Sequence, residues 1–222
     1  MRHHLIAAAL MLGAVHGIAH SDDKFERVKV YLERNVLDKD AEVKFEATGS
    51  PAGLASLKVV APDGRTVIDF KTPDSKLGIR TLTLESPEPK NDGSVQADFP
   101  AGAYTFSGNT PGGVRLEGKA MLSHVFPEPT AFIRPRADAS NVPHKGLQLT
   151  WRPIKGLSEC IVVLAHEASG RSIKAVLPGS ATSFTVPDGF LLPATEYKLE
   201  IGTVAKDGNA SFIETAFNTA KK

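Results

Sequence analysis

The chain has 222 residues, 41% hydrophobic and 23% charged, with 19 glycines and 15 prolines. This is a globular, turn-rich composition, long enough for one or two domains whose cores need no staple. The 26 basic and 25 acidic residues nearly cancel, and Cys160 is the single cysteine. A strongly basic nucleic-acid-binding surface and an internal disulfide framework are therefore excluded as organising themes.

Residues 1–19 read as a signal peptide. Arg2 precedes an apolar run, Leu5–Val15, and the small residues Gly17 and Ala19 follow it. The run is too short to span a bilayer. Cleavage is expected after Ala19, with cleavage after Gly17 as the alternative. No cysteine follows the run to make a lipid anchor, and no later stretch reads as transmembrane. Removal of 1–19 takes away Arg2 and no acid, leaving 25 basic and 25 acidic residues. The chain is thus expected to be exported, to the periplasm or the exterior, without nucleic acid as a partner.

Next come short segments with a period of two. Arg27–Glu33 and Glu42–Ala47 alternate apolar and polar residues and read as strands, joined by the polar turn Asp38-Lys39-Asp40. Leu54–Val60 runs into the turn Pro62-Asp63-Gly64-Arg65 and returns as Thr66–Phe70. Ile79–Leu84 is another alternating strand, and the segment after it, to residue 99, reads as a long loop. Pro100–Gly108 opens a second hairpin and Val114–Leu122 follows as one or two strands, on either side of the turn Thr110-Pro111-Gly112-Gly113. No window carries a helical period with caps. The reading for residues 20–127 is an immunoglobulin-like β-sandwich. Phe126-Pro127-Glu128-Pro129 reads as a stiff joint, with two sandwiches stacked end to end.

In the second half, Ser183–Val186 and Tyr197–Ile201 are β-prone segments on either side of Leu191-Leu192-Pro193-Ala194-Thr195-Glu196-Tyr197. A tyrosine here can bury its ring and bond its hydroxyl to upstream backbone, a tyrosine corner. The spacing of Leu191, Pro193, Thr195 and Tyr197, with Trp151 upstream, resembles the fibronectin type III domain over roughly residues 129–222. The resemblance implies that Trp151 is the strand-B tryptophan, that Cys160, Val162 and Leu164 are strand-C core residues, and that Lys206–Asn209 is the F–G loop. That loop lacks Arg-Gly-Asp. Phe99–Phe106, Gly113, Leu116, Gly118 and Leu122-Ser123-His124 resemble a segment of uncharacterised exported bacterial proteins. The overall expectation is an all-β chain of two tandem β-sandwiches, 20–127 and 128–222, the second fibronectin type III-like.

No motif carries catalysis. The chain lacks Gly-x-Ser-x-Gly, His-Glu-x-x-His, a phosphate-binding loop and a dinucleotide fingerprint. Asp38-x-Asp40-x-Glu42 lacks the glycine and distal acid of a calcium loop and reads as a solvated turn. Cys160 reads as a small buried hydrophobe. The one sharp metal candidate is His20, which cleavage after Ala19 would leave at the new N-terminus, where its amine and imidazole suit Cu(II). No cofactor is otherwise called for. The leading expectation is a non-catalytic binding protein whose partner is an envelope or extracellular protein, or a glycan. The alternatives are a copper protein or enzyme using His20 and a structural subunit of an envelope assembly, joined by edge-strand addition. The 85–99 loop, Tyr104 and the F–G loop at Asp207 are the expected contact regions.

Overall fold

The computed structural model describes residues 24–74, 76–89 and 92–221. The signal-peptide reading and His20 lie outside the described residues. The chain is nearly all β. In order, the strands are β1 (Arg27–Asn35), β2 (Asp40–Thr48), β3 (Ser56–Val60), β4 (Thr66–Lys71), β5 (Thr81–Glu85), β6 (Gly102–Asn109) and β7 (Arg115–Leu122). There follow β8 (Phe132–Arg134), β9 (Gln148–Trp151), β10 (Glu159–His166), β11 (Arg171–Pro178), β12 (Ser183–Thr185), β13 (Glu196–Val204) and β14 (Ala210–Asn218). Among the described residues one α-helix, α1 (Asp92–Asp98), replaces part of the expected 85–99 loop. It has only seven residues, too few for a legible helical period, and it is held by Val95, which is buried in the core.

Period-two patterning places the cores. In β1 and β2, Val30, Leu32, Val43, Phe45 and Ala47 face inward, while Tyr31, Glu33 and Lys44 face outward. The inward set meets Leu57, Val59, Tyr104, Phe106 and Leu116 from the sheet β4-β3-β6-β7. The second core gathers Leu149, Trp151, Cys160, Val162, Leu164, Tyr197, Leu199 and Phe217. Here three strands, β12-β9-β8, pack over the four strands β11-β10-β13-β14, the arrangement of a fibronectin type III sandwich. Both halves are sandwiches.

Each sandwich has its own tyrosine corner. The Tyr197 hydroxyl donates to Phe190 O at 3.2 Å and accepts from Leu192 N at 2.9 Å. In the first half the Tyr104 hydroxyl donates to Pro100 O at 3.1 Å. Proline stands four residues before the tyrosine in both, and a positive φ lies between them, at Ala194 (50°) and Gly102 (138°). Tyr104 is fully buried, so it is a core residue and not a contact surface. Burial pushes its phenol up to about 12. Tyr104→Phe should keep the ring packing and lose one buried hydrogen bond, costing about 1 kcal/mol in a denaturant melt. A neutral result would show that the hydroxyl carries no net stability.

The joint differs from a simple end-to-end stack, because one sheet runs through both halves. β14 pairs in parallel with the end of β1 over Glu33–Asn35 and Ala210–Phe212, giving a seven-stranded sheet in the order β11-β10-β13-β14-β1-β2-β5. The Asn209 side chain locks this overlap. Its Oδ1 accepts from Leu32 N at 2.8 Å, and its Nδ2 donates to Ser123 O and Val125 O at 3.0 Å each. Asp207 accepts from the Ser123 hydroxyl at 2.7 Å. Arg34 lies over the Phe126 ring, 4.6 Å from its centroid, and bonds Ser211. The F–G loop is therefore anchored to the joint through Asn209 and Asp207, while Lys206 and Asp207 stay exposed.

Candidate functional site

The residues singled out for chemistry do not converge. Among the described residues no group of three or more His, Cys, Asp or Glu side chains could hold a metal ion. His124 is tied to Phe99 O at 2.9 Å, and His166 to the Ser169 hydroxyl at 2.7 Å. Cys160 is buried, and that burial raises its thiol pKa, the reverse of what a reactive thiol needs. Trp151 is buried in β9 with its Nε1 lacking a hydrogen-bond acceptor. Leu191 is buried, Leu192 exposed, and Thr195 is held by Thr219.

Glu42 is not the solvated residue that the calcium-loop comparison expected. It is buried on the outward face of the joined sheet, 3.1 Å from Lys44. Lys44 also reaches Glu33 at 2.7 Å and Glu85 at 3.1 Å, so one ammonium serves three carboxylates. Burial works against that ammonium, but the bonds to Glu33, Glu85 and Glu42 outweigh it and hold its pKa above the usual lysine range. Burial raises the Glu42 carboxyl despite Lys44. Burial, then Glu214, raises Glu200 across the joint. Glu33, Glu42, Lys44, Glu200 and Glu214, with Lys174, line an open trough of about 300 Å³ where the two halves meet. Every polar group of the Lys44 cluster has a partner within it, so the trough reads as charge compensation at the sheet joint.

The outer edge of β11 is different. β11 pairs with β10 over eight consecutive residues without a bulge, and no strand pairs with its other side among the described residues. Gly179 N donates to Ser158 O at 3.0 Å, one step beyond the Glu159–Pro178 pair. Antiparallel alternation from that bond turns the backbone of Arg171, Ile173, Ala175 and Leu177 toward β10. The backbone groups of Ser172, Lys174 and Val176 then point outward, and the last outward position is Pro178, which has no N–H to leave unpaired. Side chains alternate with the pleat: Ile173, Ala175 and Leu177 are half-buried, while Ser172, Lys174 and Val176 are exposed.

The other sheet edges are shorter or covered. β4 has six residues and a register shift opposite it, β5 has five, and β8 and β12 have three each. β7 is bridged by Lys24 at Glu117, and Val28 and Phe25 close over Gly118. β14 is covered by β1 and then by residues 139–142, which bond Asn218. Next to the open edge, Phe212 lies across Gly202, where a Cβ would come within 2.5 Å of its ring, and packs with Ile161 and Val163. This stiffens the outward face that supports β10 and β11.

Sequence reasoning passed over β11. Its signal was present in Ile173, Ala175 and Leu177, but alanine is a weak core residue and Val176 occupies an outward position, which blurs the alternation.

No protein-family model and no curated protein matches the chain. Similar solved structures include the fibronectin(III)-like modules of Clostridium thermocellum CbhA, 10% identical, covering 89% of this chain and 93% of that one at a TM-score of 0.36. A two-domain fibronectin type III segment of chicken tenascin is 15% identical, covering 89% and 100% at a TM-score of 0.34. A fibronectin type III domain of the human collagen alpha-1(XX) chain is 25% identical, covering 43% and 85% at a TM-score of 0.33.

Proposed function

We propose that the chain is an exported, non-catalytic interaction module that binds a protein partner of the envelope or the exterior by strand addition at the outer edge of β11. Residues 1–19 serve as its signal peptide, and residues 20–127 and 128–222 are its two modules. The observation that carries the reading is the eight-residue, bulge-free edge of β11, unpaired among the described residues. A bound strand would satisfy the outward N–H and C=O groups of Ser172 and Lys174 and the pair on Val176, as β-augmentation does elsewhere. A glycan fits less well, since among the described residues the exposed large hydrophobic side chains are Val, Leu, Ile and Met and none is aromatic.

The test places a photo-crosslinking benzoyl-phenylalanine at Val176, and in a separate protein at Ile133, which is equally exposed on the opposite sheet. The expected result is a discrete adduct from Val176 in the exporting cell and none from Ile133. Lys174→Pro removes an outward N–H without touching the β10 ladder and should reduce the adduct at least tenfold while the far-ultraviolet circular dichroism is unchanged. Equal adducts at both positions, or indifference to Lys174→Pro, would overturn the reading.

A further inference from the structure

Resting on that reading, the geometry points to an acidic, alternating partner segment: an extended strand with apolar residues on its inner face and a carboxylate opposite Lys174. The inner face follows from the pleat. Ala175 and Leu177 pack at the margin of the second core and Ile173 is half-buried on the same face, so an added strand continues that margin only if its own inward residues are apolar. The outer face follows from charge. β11 carries Arg171 and Lys174 and no acid. The Arg171 guanidinium is already engaged, stacked over Phe190 at 5.1 Å and within 3.4 Å of Gly189 O. Lys174 stands mid-strand and exposed at the rim of the trough, with Glu200 two strands away across Val163 on its inner side and no carboxylate on its outer side among the described residues.

The same lysine argues against a second copy as occupant. A two-fold axis normal to the sheet pairs residues of like facing, so the residue on the axis pairs with itself. The registers with the fullest overlap are centred on Lys174 and on Ala175. The first sets Lys174 directly against its own copy. The second sets the two lysines on the diagonal, with their backbone positions about 7–8 Å apart. Like charges so placed oppose pairing. A foreign strand with an acid at that position gains where self-pairing loses.

The test uses two synthetic peptides, each an alternating valine–threonine octamer, one with a central glutamate and one with a central lysine. Binding to the isotope-labelled protein is followed by amide shifts and hydrogen exchange. The glutamate peptide should protect the amides of Ser172, Lys174 and Val176 and bind at least tenfold more tightly than the lysine peptide at low salt. Lys174→Glu should reverse that order. Protection at these amides with no preference, or with a preference that Lys174→Glu leaves unchanged, overturns the acidic partner while leaving strand addition intact. No protection by either peptide overturns strand addition itself. A dimer in sedimentation that Lys174→Pro disperses would put a second copy on this edge and overturn the proposal.

Discussion

Asn209→Ala is expected to cost about 3–5 kcal/mol, because it strips every partner from a buried polar node. Asn209 is 1% exposed. Its amide is the sole side chain that ties the F–G loop to Leu32 N, Ser123 O and Val125 O together. Alanine leaves the buried Leu32 N without its acceptor and takes the donor from the part-buried carbonyls of Ser123 and Val125. Each stranded group carries a penalty of about 1–3 kcal/mol, offset in part by relaxation. For a chain of this size the melting temperature should fall by roughly 6–20 °C. Asn209→Asp should be no better, since its second oxygen would face the carbonyls of Ser123 and Val125. Calorimetry adds a second readout. The intact joint, with one sheet running through both sandwiches, should give a single transition, and Asn209→Ala should split it in two. A variant that melts as one unit within 2 °C of the parent would show, by the same scaling, that the node is not what joins the halves.

The sequence pattern revealed the sandwiches because burial on one face of a strand writes itself as alternation. Val30 and Leu32, Val43 and Phe45, and Leu199 and Ile201 are all buried at period two. The second tyrosine corner was legible in principle, since Pro100 and Tyr104 repeat the spacing of Pro193 and Tyr197. What concealed it was Gly102 standing where the second half has Thr195. The joint was not legible. It depends on Asn209, a turn residue by type, meeting Leu32 across 177 positions of chain, and no local pattern encodes that meeting. α1 was hidden by its brevity and β11 by a small core residue and an outward valine. The candidate site thus lies on a strand that local patterning marks weakly, because an edge buries only part of its inner face.

Lys44→Met is expected to destabilise the fold by about 2–3 kcal/mol at pH 7, and to do so less as the pH falls. Three carboxylates, on Glu33, Glu42 and Glu85, share this one ammonium. Replacing a balanced ion pair by apolar groups can be neutral, but removing the lone cation of a cluster leaves uncompensated charge. The sign of the pH dependence follows from the direction of each shift. The Glu42 carboxyl is raised in the folded state, so the fold binds that proton more tightly than the unfolded chain does. Protonation on acidification therefore favours the fold, and without Lys44 the effect grows. Urea melts at pH 7 and pH 4 should show the deficit of Lys44→Met shrinking by half or more. At the alkaline end the deficit shrinks again, this time because the parent loses stability. The Lys44 ammonium is held above its ordinary 10.5, so its contribution is complete below that pH and is lost as the pH climbs toward the folded value. Tyr31, raised by burial and by its bond to Glu46, loses its share above 10 in both proteins. The parent should then fall toward the variant above pH 10.5. A deficit that is constant from pH 4 to 11 would mean that Lys44 acts through the packing of its stem and not through its charge.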